Sequence, residues 1–164
     1  MAGLSNEKPV GSRAMAPGAG GSRCRAGAVR LARVLHTSAL ATYANGSFFM
    51  GTVVALTATQ GAQLIIPATC LISAWAGRPR DSGLIEYLTR LARQDGSSVT
   101  EVVPLRADAW LDVAYLMSAA SGMDLASAHA AVVAADRHVP VIADATTAAV
   151  LAVVAPAVTV EALP

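Results

Sequence analysis

From Arg33 to the end of the chain, short and nearly all-apolar runs alternate with longer helical segments. This alternation restricts the fold more than any other feature of the sequence. The runs are RVLH (33–36), AQLIIP (62–67), SVTEVVPL (98–105), VPVIAD (139–144) and AVTVEAL (157–163). Strands that are apolar on both faces belong to parallel sheets covered by helices on both sides. The segments between them carry helix signals. SALATYAN ends near Asn45-Gly46, and FFMGTVVALTATQG closes on Gly61, a residue type favoured just past a helix C-terminus. ATCLISAWA is entered through Pro67, read as its first helical position. LIEYLTRLARQDG spaces Leu84, Leu88 and Leu91 at helical intervals, and RADAWLDVAYLMSAASG sets Trp110, Ala114 and Met117 along one side. MDLASAHAAVVAADRH has Asp124 as a candidate N-cap, and ATTAAVLAVV is the last predicted helix. In parallel sheets the functional groups gather beyond the C-terminal ends of the strands. That directs attention to residues 36–38, to the helix after Pro67 and to residues 143–147.

Charge divides the chain. Residues 1–33 carry six basic side chains against the single acid Glu7, whereas the remainder carries six arginines against ten carboxylates. Residues 1–29 are rich in Gly, Ala, Ser and Pro without periodicity, so they read as a disordered basic tail ahead of a folded domain at 30–164. A basic arm suits contact with phosphates or anionic surfaces, but no aromatics are interleaved for base stacking, which favours a solvated tail. The two cysteines form no disulfide framework or metal cluster, and Cys70, inside LIIPATCLISAWA, reads as a small buried hydrophobe. Mean hydropathy is high, at +0.51, yet no run reaches the roughly 18 apolar residues of a spanning helix. The N-terminus has no apolar signal core. A cytoplasmic protein with no membrane association is expected.

Three stretches in register resemble the PIN-domain family, the nuclease fold of VapC-type ribonuclease toxins. VLHTSALATYANG resembles the family's strand-Asp-Thr-Ser-Ala-Leu opening. LIIPATCLISAWA resembles its Ile-Pro followed by a helix carrying Glu. DLASAHAAVVAADRHVPVIADATT resembles an Asp-bearing Ala-His-Ala-Ala helix and a strand ending in Thr-x-Asp. The resemblance covers roughly residues 33–163. It implies an α/β, PIN-like three-layer sandwich with a short, mostly parallel central sheet flanked by helices. It also implies metal-assisted hydrolysis of RNA, in which convergent carboxylates hold magnesium or manganese.

Four acidic positions are implied, and only one is acidic here. The first falls on His36, the second on Ser73 and the third on Ser127; the fourth is Asp144. Losing three anions weakens a hard-cation site severely, so the resemblance implies a degenerate nuclease that acts through RNA or protein binding. The alternative is an active endoribonuclease with a remodelled site of His36, Asp124 and Asp144, His36 being a ligand for zinc, manganese or nickel rather than magnesium. In the first case the partners are RNA, an antitoxin-like protein or a second copy in a homodimer; in the second, magnesium or manganese is added.

Each candidate also has a plainer reading. His36 is a general base or a hydrogen-bonded structural residue at a strand end. Asp124 is a metal ligand or an N-cap. His129 and His138 read as surface or helix-capping residues, Thr37 and Ser38 as caps for the helix that follows them, and Trp75 and Trp110 as core or interface packing. Ser73 and Ser127 lack a nucleophile motif.

Overall fold

The computed structural model describes residues 32–76, 83–91 and 99–164. The tail expected over 1–29 and the end of the helix read over LIEYLTRLARQDG lie outside the described residues. Among the described residues the chain forms β1 (Arg33–Leu35), α1 (Thr37–Ala44), α2 (Phe48–Thr59), β2 (Leu64–Pro67) and α3 (Ala68–Ala76). These are followed by α4 (Gly83–Leu91), β3 (Thr100–Val103), a 3-10 turn at Ala107–Ala109, α5 (Trp110–Ala119), α6 (Leu125–Arg137), β4 (Val141–Ala143), α7 (Ala145–Val154) and β5 (Val160–Ala162). Every strand read from the sequence is present, and each is shorter than its apolar run.

The strands form one sheet in the order β3-β2-β1-β4-β5, and all four pairings are parallel. The fold is an α/β three-layer sandwich. Central strands carry the branched apolar side chains that suit a pleated surface buried on both faces. Val34, Leu35, Leu64, Ile65, Ile66, Val141 and Ile142 are all buried. Replacing a fully buried Leu35 by Ala would remove about 2–5 kcal/mol of packing. Pro67 ends β2 opposite Val103 instead of opening α3. The final strand position needs no onward ladder donor, so the missing N–H is tolerated there.

Helix α6 explains how the layers close. It is buried at nine successive positions, Ala126 to Ala134, and packs against β1, β2, β4, α3 and α5. A helix enclosed all round must be made of small side chains, and five of these nine are alanine. It ends at His138, whose backbone adopts the left-handed conformation (φ 53°) usually given to glycine. The capping role read for His138 is therefore present. Gly46 (φ 77°) and Gly61 (φ 62°) likewise close the turns after α1 and α2.

The apolar side chains pack differently from a simple amphipathic pattern. Trp75 and Trp110 are exposed, Trp110 at 59%, so neither is a core residue. On α5 the core is met by Val113, buried, and Leu116, partly buried, not by the Trp110–Met117 side. α2 is apolar around its circumference and buries only Met50, Val54 and Thr57, leaving Phe48 90% exposed. Among the described residues no single helix is long and apolar enough to cross a membrane; α1 and α2 together have the length, but they meet at 105°.

Candidate functional site

Strand pairing brings two helix starts together. β1 and β4 are parallel neighbours, with Leu35 opposite Ile142, so the residues after each strand emerge side by side at the C-terminal edge of the sheet. His36 follows β1 and N-caps α1, while Asp144 follows β4 and N-caps α7. The His36 amide donates to the Ile142 carbonyl at 3.1 Å, extending the ladder by one rung. A third helix start arrives with α6: Asp124 Oδ1 accepts from the Ser127 amide at 2.7 Å. The N-cap reading of Asp124 is thus present in the structure.

His36 ties the three starts to one another. Its Nδ1 accepts from the Ser38 amide at 3.2 Å, so the imidazole itself caps α1. The tautomer follows from this pattern. With Nδ1 accepting, the neutral ring carries its proton on Nε2 and donates it to Ser127 Oγ at 3.0 Å. Ser38 Oγ lies 3.0 Å from the same Nδ1 and accepts from the Asp144 amide at 2.9 Å. Asp144 accepts in turn from the Thr147 amide at 2.8 Å and from the Thr147 hydroxyl at 3.1 Å. The starts of α1, α6 and α7 are pinned by a chain of polar contacts in which each group has a partner.

The electrostatics match that geometry. Burial pushes the His36 imidazole below its ordinary value, and the charges of Asp124 and Asp144 oppose this only in part. For Asp144, burial acts to raise the carboxyl. Hydrogen bonds from the Thr147 amide and from the Ser38 and Thr147 hydroxyls outweigh it, aided by His36 only where that ring is protonated, so the carboxyl sits below its usual range. The site therefore favours a neutral imidazole beside an ionised carboxylate.

That arrangement limits the chemistry. A serine hydroxyl 3.0 Å from an imidazole nitrogen has the spacing of a nucleophile and its base. Here, however, the nitrogen facing Ser127 already carries the proton and cannot take another from the hydroxyl. His36 and Ser127 are both buried as well. The donor set also does not fit a hard cation, which takes several free oxygen ligands. Asp124 and Asp144 each commit an oxygen to a helix amide, and both nitrogens of His36 are engaged. Among the described residues no three His, Cys, Asp or Glu side chains are grouped to hold a metal ion.

Of the positions singled out by the resemblance, the structure joins His36, Ser127 and Asp144, with Asp124 beside them. Ser73 stands apart, exposed on α3. Thr37 is no cap: its hydroxyl reaches toward the Cys70 carbonyl at 3.5 Å. Cys70 is buried as expected, its thiol pushed up to about 12 by burial. Thr147 was not anticipated, although Asp-x-x-Thr has the spacing of an N-cap and its third helical residue, a legible signal.

His129 requires the clearest correction. It is neither a surface nor a capping residue but fully buried on α6. Its Nδ1 lies 2.9 Å from Thr69 Oγ1 on α3, and its Nε2 has no hydrogen-bond partner among the described residues. No family model matches the chain, and no curated protein matches it either.

Proposed function

We propose that this chain is a PIN-like protein that has given up metal-dependent RNA hydrolysis and acts through RNA or protein binding. The observation that carries the reading is the Nε2–Oγ hydrogen bond between His36 and Ser127. On the resemblance, two carboxylates belong at these positions. Two carboxylates held about 3 Å apart repel one another unless a cation lies between them or one is protonated. A neutral imidazole donating to a hydroxyl needs neither. The same fold edge is thereby kept closed by a contact with no net charge, and the call for magnesium or manganese disappears.

In this reading the protein works in the cytoplasm, and its protein partner is an antitoxin-like chain or a second copy. Exposed apolar side chains on α2 and α5, among them Phe48, Leu56, Leu111 and Tyr115, support association through those helices. The test is incubation of the full-length protein with labelled RNA in magnesium, manganese or zinc, beside an Asp144→Asn variant. Salt-sensitive RNA binding, or stable capture of a protein partner, with no cleavage is the expected result. Cleavage by the wild type that Asp144→Asn abolishes would overturn the reading in favour of an active endoribonuclease using His36, Asp124 and Asp144.

A further inference from the structure

We propose that α2 is the docking face for a second copy of this chain, the two α2 helices crossing antiparallel so that Phe48 of each seats in a hollow on the other. The proposal rests on the preceding reading in one respect, that the chain acts by association, and it names the partner and the contact. Between Thr37 and Gly77 the sequence holds no Asp, Glu, Lys, Arg or His. Within that stretch α2 packs chiefly on α1 and buries only Met50, Val54 and Thr57. A helix of 12 residues draws most of its stability from packing, and α2 has no charged side chain with which to supply it otherwise.

The outward face has a definite shape. Phe48, Gly51, Thr52 and Ala55 recur at i, i+3, i+4 and i+7, which places them on one face of the helix, opposite the buried Met50, Val54 and Thr57. Phe48 projects into solvent, and beside it lies a hollow of about 450 Å³ bordered by Tyr43, Gly46, Gly51, Thr52 and Ala55. Glycine weakens a helix interior, and a Cβ at Gly51 would meet nothing within 4 Å, so no contact within the single chain calls for it. Small residues on an outward stripe let a second backbone come close. In an antiparallel pair crossing between Gly51 and Thr52, Phe48 of one copy lies level with Ala55 of the other. Projection and hollow share one face, at equal distances from the crossing point, as a two-fold contact requires.

Charge and area single out a second copy. Two such helices meet without burying a charge from either side, so no desolvation penalty of an ion opposes the contact. A nucleic acid or the basic N-terminal arm would bring charges to a face with no counter-charge to pair them. A helix lying on a lipid surface carries Lys or Arg on its polar face, and α2 carries neither. Taking about 200 Å² for a whole aromatic side chain, the uncovered parts of Phe48 and Phe49 come to about 250 Å² per copy. With Leu56 and the residues of the hollow added, the pair falls toward the low end of the roughly 1,200–2,000 Å² that specific complexes bury. The dimer is therefore a reversible one.

The test is analytical ultracentrifugation of the full-length protein beside Phe48→Glu and Gly51→Leu variants. Phe48 is exposed and Gly51 borders open space, so both substitutions leave the fold of a single chain intact, which circular dichroism checks. The wild type is expected to sediment in a concentration-dependent monomer–dimer equilibrium. Phe48→Glu is expected to raise its dissociation constant by about thirtyfold or more, as loss of an interface anchor does. Gly51→Leu, which fills the hollow, is expected to act in the same direction. In a Cys24→Ser background, Thr52→Cys is expected to form an intermolecular disulfide on air oxidation, whereas Ser118→Cys on α5 is not. A monomeric wild type, a dimer indifferent to both α2 substitutions, or faster cross-linking through Ser118→Cys would each overturn the proposal. So would wild-type binding to phosphatidylcholine vesicles that Phe48→Glu abolishes. None of these outcomes bears on RNA cleavage, which tests the preceding reading separately.

Discussion

His36 and His129 are both buried imidazoles close to α6, and burial lowers the proton affinity of each. They are held in different ways. His36 has both nitrogens engaged, one by a helix amide and one by Ser127, with two carboxylates in electrostatic range. His129 has one nitrogen engaged and one idle, with burial alone acting on it. A saturated imidazole works as a structural rivet, whereas a half-saturated one leaves a buried nitrogen uncompensated. The difference teaches that burial by itself does not say what a histidine is for; the count of satisfied nitrogens does.

Stability measurements can break that comparison. His36→Leu removes the cap of α1 and strands the buried Ser127 hydroxyl, a combined loss of about 2–4 kcal/mol. His129→Leu also loses a hydrogen bond, but it removes an idle nitrogen at the same time, so its expected cost is about 1 kcal/mol. Urea unfolding of the two variants gives the ranking directly. If His129→Leu proves as damaging as His36→Leu, the unfilled nitrogen is engaged after all.

The pH response is a smaller effect with a definite sign. Both imidazoles lie below 6.5 in the fold, so the unfolded chain takes up protons first as pH falls. Stability is therefore present above 6.5 and declines below it until the folded-state values are reached. Asp144 adds a second decline: its carboxyl is held below 3.8, so its contribution persists above that value and is lost in stronger acid. Thermal unfolding across pH 3–8 should show both limbs, with His36→Leu flattening the upper one and Asp144→Asn the lower. An upper limb unchanged by His36→Leu would remove His36 from its cause.

Much of the scaffold was readable from residue pattern because strands and helices here differ sharply in length and are separated by Gly, Asn and Pro. The caps at Asp124 and His138 were readable too, since capping chemistry is local. What failed lay on α6 and α5. In LASAHAAVVAADR the alanines are equally at home inside and outside, so periodicity does not distinguish a one-sided helix from one enclosed all round, and the pattern points to a surface or capping role for His129. On α5 most of the large apolar residues, Trp110, Leu111, Tyr115 and Met117, are exposed, while Val113 is buried and Leu116 partly buried against the core, the reverse of what hydrophobicity suggests. The His36–Ser127 bond joins residues 91 positions apart, and no local pattern announces such a contact.

The central claim is that a neutral hydrogen bond now occupies the place of a cation-binding carboxylate pair. Manganese calorimetry on the wild type and on a His36→Asp/Ser127→Asp double variant addresses it directly. The account predicts no measurable binding by the wild type and binding gained by the variant, with the variant's stability rising on addition of the metal. Wild-type protein that already binds manganese as tightly as the variant would contradict it.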